Sequence, residues 1–104
     1  MRVSMKQFEA AAQAAVDSIP EEFKAYLENT VFIIEASSPE DLLGLYEGAT
    51  ALGAGEGMPE RITLYKRAHE AAAESMDELV DEVRKTILHE VGHHFGMEEE
   101  DLPY

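Results

Sequence analysis

MDELVDEVRKTILHEVGHHFG, residues 76–96, is the stretch on which the reading of this chain turns. Leu79, Val80, Val83, Ile87, Leu88, Val91 and Phe95 fall on one broad stripe at the 3.6-residue period of a helix packed on a sheet. The spacing predicts a long helix from about Ser75 or Met76 to Phe95. Gly96 stands where a helix C-cap would be, able to take a positive φ and turn the chain back. Inside this helix lies His89-Glu90-Val91-Gly92-His93, an H-E-x-x-H pattern. Positions i and i+4 share a helix face, so His89 and His93 can both reach one metal ion. Glu90 comes about 100° further round the axis, beside a metal rather than on it. There a carboxylate can take a proton from a metal-activated water. The pattern points to a zinc-dependent hydrolase, with a peptidase as the first expectation.

Two imidazoles do not complete a catalytic zinc site, for which three protein ligands and an open position are usual. The third is expected in the eight residues after Gly96. Counting ten from His89, as in the longer H-E-x-x-H-x-x-G-x-x-H pattern, lands on Glu99. A carboxylate there gives a two-histidine, one-glutamate site. Glu98, Glu100 and Asp101 are close alternatives, because a short turn could present any of them. His94 falls on the apolar stripe and is expected to be buried, orienting a neighbour. His69 is expected at the surface rather than on a metal. Tyr46, Tyr65 and Tyr104 are candidate oxyanion donors by residue type alone.

Composition narrows the class. Against 22 acidic side chains there are 8 basic ones, a formal charge of −14, which repels phosphate backbones and argues against nucleic acid as a partner. The chain has no cysteine, so it can form neither disulfides nor thiolate metal sites, and any metal must be held by His and carboxylate. The N-terminal MRVSMKQFEAAAQAAV lacks the apolar core of a signal peptide. Val31–Ile34, the longest strongly apolar run, is far too short to span a membrane. A cytoplasmic, single-domain protein over residues 1–104 is expected, with no membrane partner.

Outward from the long helix, the other elements read as an α+β fold. Ser4 can cap a first helix carrying Met5, Phe8, Ala12, Val16 and Ile19 at helical spacing. Pro20 ends it and opens a second, with Phe23, Tyr26 and Leu27 on its apolar side. Thr30–Glu35 is β-rich and reads as a strand, expected to be central. Leu42–Glu47 reads as a second strand and Arg61–Lys66 as a third, joined by a Gly-rich loop over Ala49–Pro59. Ala68–Glu74 reads as either a helical turn or an irregular connection.

LLGLYEG (42–48), RITLYKRAHEAA (61–72) and TILHEVGHHFGMEEEDL (86–102) together resemble the minimal zincin-type zinc metallopeptidases of bacteria, over nearly the whole chain from the Phe8 helix onward. The resemblance implies a compact α+β core with a small mixed sheet, whose edge strand lines a cleft above the zinc helix. It implies Zn²⁺ ligands at His89 and His93, a base at Glu90, and an acidic third ligand at Glu99. By analogy with larger zincins, the third strand could pair with an extended substrate through its backbone. The larger relatives carry a second subdomain or a Met-turn that this chain is expected to lack, which leaves substrate choice open. A chain of 104 residues cannot wall off much, so a shallow cleft acting on small or unfolded peptides is expected. Two other functions compete. One is a metal-dependent phosphodiesterase, which the acidic cluster and net charge oppose; the other is a non-catalytic module in which zinc only clamps the C-terminal turn to the helix.

Overall fold

The structure, a computed structural model, describes residues 1–48 and 60–96. In chain order it has α1 (Met5–Asp17), α2 (Glu21–Lys24) running into a 3₁₀ turn (Ala25–Leu27), β1 (Thr30–Glu35), β2 (Gly44–Glu47), β3 (Glu60–Tyr65), α3 (Lys66–Ala72) and α4 (Met76–His94). The architecture is α+β, as its pattern predicts.

The helix ends form where local chemistry favours them. The Ser4 hydroxyl accepts the Gln7 N–H at 3.0 Å, and the Gln7 side chain accepts the Ser4 N–H at 2.8 Å, a reciprocal cap on α1 worth about 1 kcal/mol. Ser75 caps α4 by accepting the Glu78 N–H at 3.1 Å, while the Glu78 carboxylate accepts the Glu74 N–H at 3.0 Å. At the far end Gly96 takes φ +69°, the left-handed turn expected of it.

The sheet has the order β1-β3-β2, with β1 parallel and β2 antiparallel to β3. The expectation that Thr30–Glu35 is central is therefore overturned: among the described residues β1 is an edge, and the third strand holds the middle. An unbroken apolar run is what a strand buried on both faces shows, and a strand with one open apolar face shows it equally. Val31, 45% exposed, belongs to the second case. In β3 Ile62 and Leu64 are wholly enclosed on the helix side, and Thr63 between them is buried as well, as befits a central strand. Because both edges of β3 are used, it has no backbone left to offer a substrate. That role can fall only to an edge strand.

β2 begins two residues later than its sequence suggests. Leu42 spends its N–H on the Ser38 hydroxyl at 2.7 Å, in a turn where Asp41 adopts φ +55°, a conformation Asp tolerates better than most residues. The segment after β3, for which the sequence allows a helical turn or an irregular link, is helix α3. It starts with no loop, and the N-terminus is tied to it. The Met1 ammonium donates to the Glu70 and Ala73 carbonyls, the Val3 N–H to the Glu70 carboxylate, and Lys66 Nζ to the Val3 carbonyl.

Helices α1 and α4 cover one face of the sheet. Phe8, Ala11, Ala12 and Ala15 of α1 meet Leu79, Val83, Ile87, Leu88 and Val91 of α4 over Ile62 and Leu64. Each fully buried large side chain here contributes about 2 kcal/mol. The alanines let the two helices approach closely. Among the described residues no helix is long and apolar enough to cross a membrane.

Candidate metal centre

Burial decides how α4 is rotated, and the rotation decides where the site lies. Ile87 and Val91 are fully enclosed in the core. One residue earlier in each turn, Thr86, Glu90 and His94 form a row at i, i+4 and i+8 that lies along β2. The helix advances about 6.0 Å per four residues and a strand about 6.8 Å per two, so the two rows keep step. Thr86 sits over Gly44, where an added Cβ would stand 2.7 Å from the Thr86 methyl, 3.2 Å from the Thr63 carbonyl and 3.7 Å from Glu90 Cγ. Glu90 meets Tyr46, and its Oε1 accepts the Tyr46 main-chain N–H at 3.1 Å. His94 stacks on the Tyr46 ring with centroids 4.1 Å apart, and its Cε1 would lie 3.3 Å from a Cβ at Gly48. Gly44 and Gly48 are bare on the helix side because the helix rests there.

Strand geometry explains why a main-chain N–H is available to Glu90. The Tyr65 N–H donates to the Leu43 carbonyl, so the polar groups of Leu43, Leu45 and Glu47 face β3. By alternation those of Gly44 and Tyr46 face the other edge of β2, which no described strand covers. On α4, one residue before Glu90 and His94 respectively, stand His89 and His93. Their rings lie 4.3 Å apart, and one donor atom from each of His89, Glu90 and His93 falls within 4.8 Å of the others. His89 and Glu90 are half-buried and His93 is exposed. A cleft of about 380 Å³ opens beside them, lined by Leu42, Leu43, Gly44, Glu82, Lys85, Thr86, His89 and Glu90.

The donor chemistry suits zinc: two imidazoles converge from successive turns, with a carboxylate alongside. The Tyr46 N–H engages Oε1 of Glu90, which orients this carboxylate beside the imidazole pair. Glu99 and its alternatives Glu98, Glu100 and Asp101 lie outside the described residues, as do Tyr104 and the Ala49–Pro59 loop.

Two histidine expectations are corrected. His94 is not enclosed; its side chain is 35% exposed and lies 3.6 Å from Glu60. It belongs to the row of Thr86 and Glu90, one residue before the core row, and is the last residue of α4. His69 is not at the surface; it is wholly buried on α3. Its Nδ1 lies 2.8 Å from the Tyr65 carbonyl and its Nε2 2.8 Å from the Thr86 hydroxyl. A carbonyl can only accept, so Nδ1 carries the proton and Nε2 accepts from Thr86. Burial holds the imidazole below its ordinary pKa, against the opposing pull of the Tyr65 carbonyl and of Glu82.

The tyrosines separate as well. The Tyr46 hydroxyl donates to the Glu60 carboxylate, and burial together with Glu60 drives the phenol's pKa upward, keeping it protonated. Tyr65 lies on the sheet face away from the helices, at the end of the row that Arg61 and Thr63 begin. The residues that sequence reasoning passed over are Gly44, Thr86 and the Tyr46 amide. Their one visible signal is a pair of glycines four apart flanking a short strand.

Against this geometry the comparisons with known proteins are decisive about family. A model of the zincin-like metallopeptidase family matches residues 14–104. The chain belongs to that family. A solved structure similar to it is that of a conserved hypothetical protein from Thermo thermophilus, 27% identical, with a TM-score of 0.62 over 89% of this chain and 94% of the other. No curated protein matches the chain. A zincin-like fold implies a metal, typically zinc, and His89, Glu90 and His93 form a group that could hold one.

Proposed function

We propose that this zincin-like protein is a zinc-dependent peptidase, with His89 and His93 as ligands, Glu99 completing the set, and Glu90 as the general base. The observation that carries the reading is the placement of Glu90. Its Oε1 is tied to the Tyr46 amide of the edge strand, while donor atoms of His89 and His93 lie within 4.8 Å of its carboxylate. That tie fixes one oxygen and leaves Oε2 to receive a proton from water and return it to the leaving amine. A zinc ion at the imidazole pair would supply Lewis-acid activation of the water and of the scissile carbonyl.

The substrate would be a small or unfolded peptide in extended form. The strand that presents an open edge to the cleft is β2 rather than the third strand, and the outward main-chain groups of Gly44 could pair with a peptide. The test loads the protein with one equivalent of zinc and measures cleavage of a library of unstructured peptides, with and without chelator. Chelator-sensitive cleavage that disappears in Glu90→Gln supports the reading. Cleavage indifferent to both rejects it.

A further inference from the structure

We propose that His69 is a positioning residue for Glu90, acting through Thr86 to lock α4 onto the edge strand one turn before the site. The proposal rests on the reading of Glu90 as the base, and it assigns a role to a buried polar pair which that reading does not use.

The contacts form a closed circuit. His69 Nδ1 donates to the carbonyl of Tyr65, the last residue of β3. The N–H of the same Tyr65 donates to the Leu43 carbonyl at 3.0 Å, which fixes the start of β2. The next residue, Gly44, lies beneath the Thr86 methyl with no room for a Cβ between them. The Thr86 hydroxyl returns to His69 Nε2. Each link joins a different pair of elements, so β2, β3, α3 and α4 share one fixed point.

Thr86 is held in one orientation by this arrangement. Its single hydroxyl proton has two acceptors in reach, His69 Nε2 at 2.8 Å and the Glu82 carbonyl at 3.1 Å. With the hydroxyl aimed at these two acceptors, the methyl is turned to Gly44. Glu90 is four residues on, one turn along the same row, and its bond to the Tyr46 amide forms only if helix and strand keep this register. A shift of α4 of about 1 Å away from β2 would take that 3.1 Å contact beyond hydrogen-bond range.

A residue that merely filled the core would act on the whole domain; a positioning residue acts on one contact. The experiment is amide hydrogen exchange by NMR on zinc-free and zinc-loaded protein, reading the Tyr46 amide against the amides of the β1–β3 ladder. Peptide-cleavage kcat and KM are measured on the same samples. In Thr86→Val and His69→Ala the Tyr46 amide is expected to exchange about ten-fold faster relative to the ladder. In the same variants kcat is expected to fall and KM to hold. Thr86→Ser keeps the hydroxyl and His69→Gln keeps an acceptor near Nε2, so both are expected to stay within about three-fold of wild type. If either disruptive variant fails to fold, the other and the two conservative ones still decide. Unchanged Tyr46 exchange, or loss in step with the entire ladder, overturns the proposal. Selective Tyr46 loss in a protein that cleaves no peptide would leave the positioning intact and remove the peptidase reading instead.

Discussion

Glu90 and Gly44 are the residues on which the account stands or falls. Glu90→Gln keeps the shape and an acceptor oxygen for the Tyr46 N–H but removes the group that takes a proton, so cleavage is expected to drop by about 10²–10⁴-fold. Metal content should stay the same, which elemental analysis checks. Gly44→Ala tests the seat of α4. An added methyl meets Thr86 Cγ2 at 2.7 Å and the Thr63 carbonyl at 3.2 Å, and neither yields easily. We expect a loss of about 1–3 kcal/mol, read by urea denaturation, together with reduced cleavage. The histidine pair and its neighbouring carboxylate were legible in the sequence because helical spacing places them without help from the fold. The Tyr46 amide was not, since a main-chain group carries no signature in the residue that bears it. His69 misled for a related reason: a histidine on a short helix looks exposed until its two hydrogen-bond partners, 4 and 17 residues away, come into view.

Among the elements, α4 and β1 were readable to within a residue or so, because a long amphipathic period and a β-branched run bounded by turn residues are strong local signals. Strand order was not readable. Which of three short strands lies in the middle depends on how the β2–β3 pair docks, and burial periodicity in six residues cannot report it. The pairing of α4 with β2 is likewise a property of two elements together, visible only as glycines at 44 and 48. The α3–α4 link makes a pH prediction. Burial keeps folded His69 neutral, whereas in the unfolded chain it takes up a proton near its ordinary pKa of about 6.5. The unfolded state then binds more protons below that value. The stability contributed by this group is complete above pH about 6.5 and is lost as pH falls from there toward the folded pKa. Thermal melts of wild type and His69→Gln should show the wild-type advantage shrinking between about pH 7.5 and pH 5.5. A constant difference across that range would contradict the assignment.

At the scale of the whole molecule, charge and metal make separate predictions. With a net charge of −14, the protein should favour cationic over anionic peptides in kcat/KM. That preference should weaken as added salt shortens the screening length to about 8 Å and below. Zinc that binds the folded state alone raises its stability. At a hundred-fold excess over Kd the gain is about 2.7 kcal/mol, seen as a higher melting temperature that chelator reverses. The fold class followed from the order of helix and strand periods and from the extended motif, whereas the third ligand follows only from counting along a turn. The most direct test of the central claim is a paired measurement on wild type and Glu90→Gln, each carrying one equivalent of zinc. Bound zinc and peptide cleavage are read from the same sample. The account predicts equal zinc in both proteins and cleavage in the wild type alone. Equal cleavage in both, or zinc retained after His89 and His93 are replaced by alanine, would contradict it.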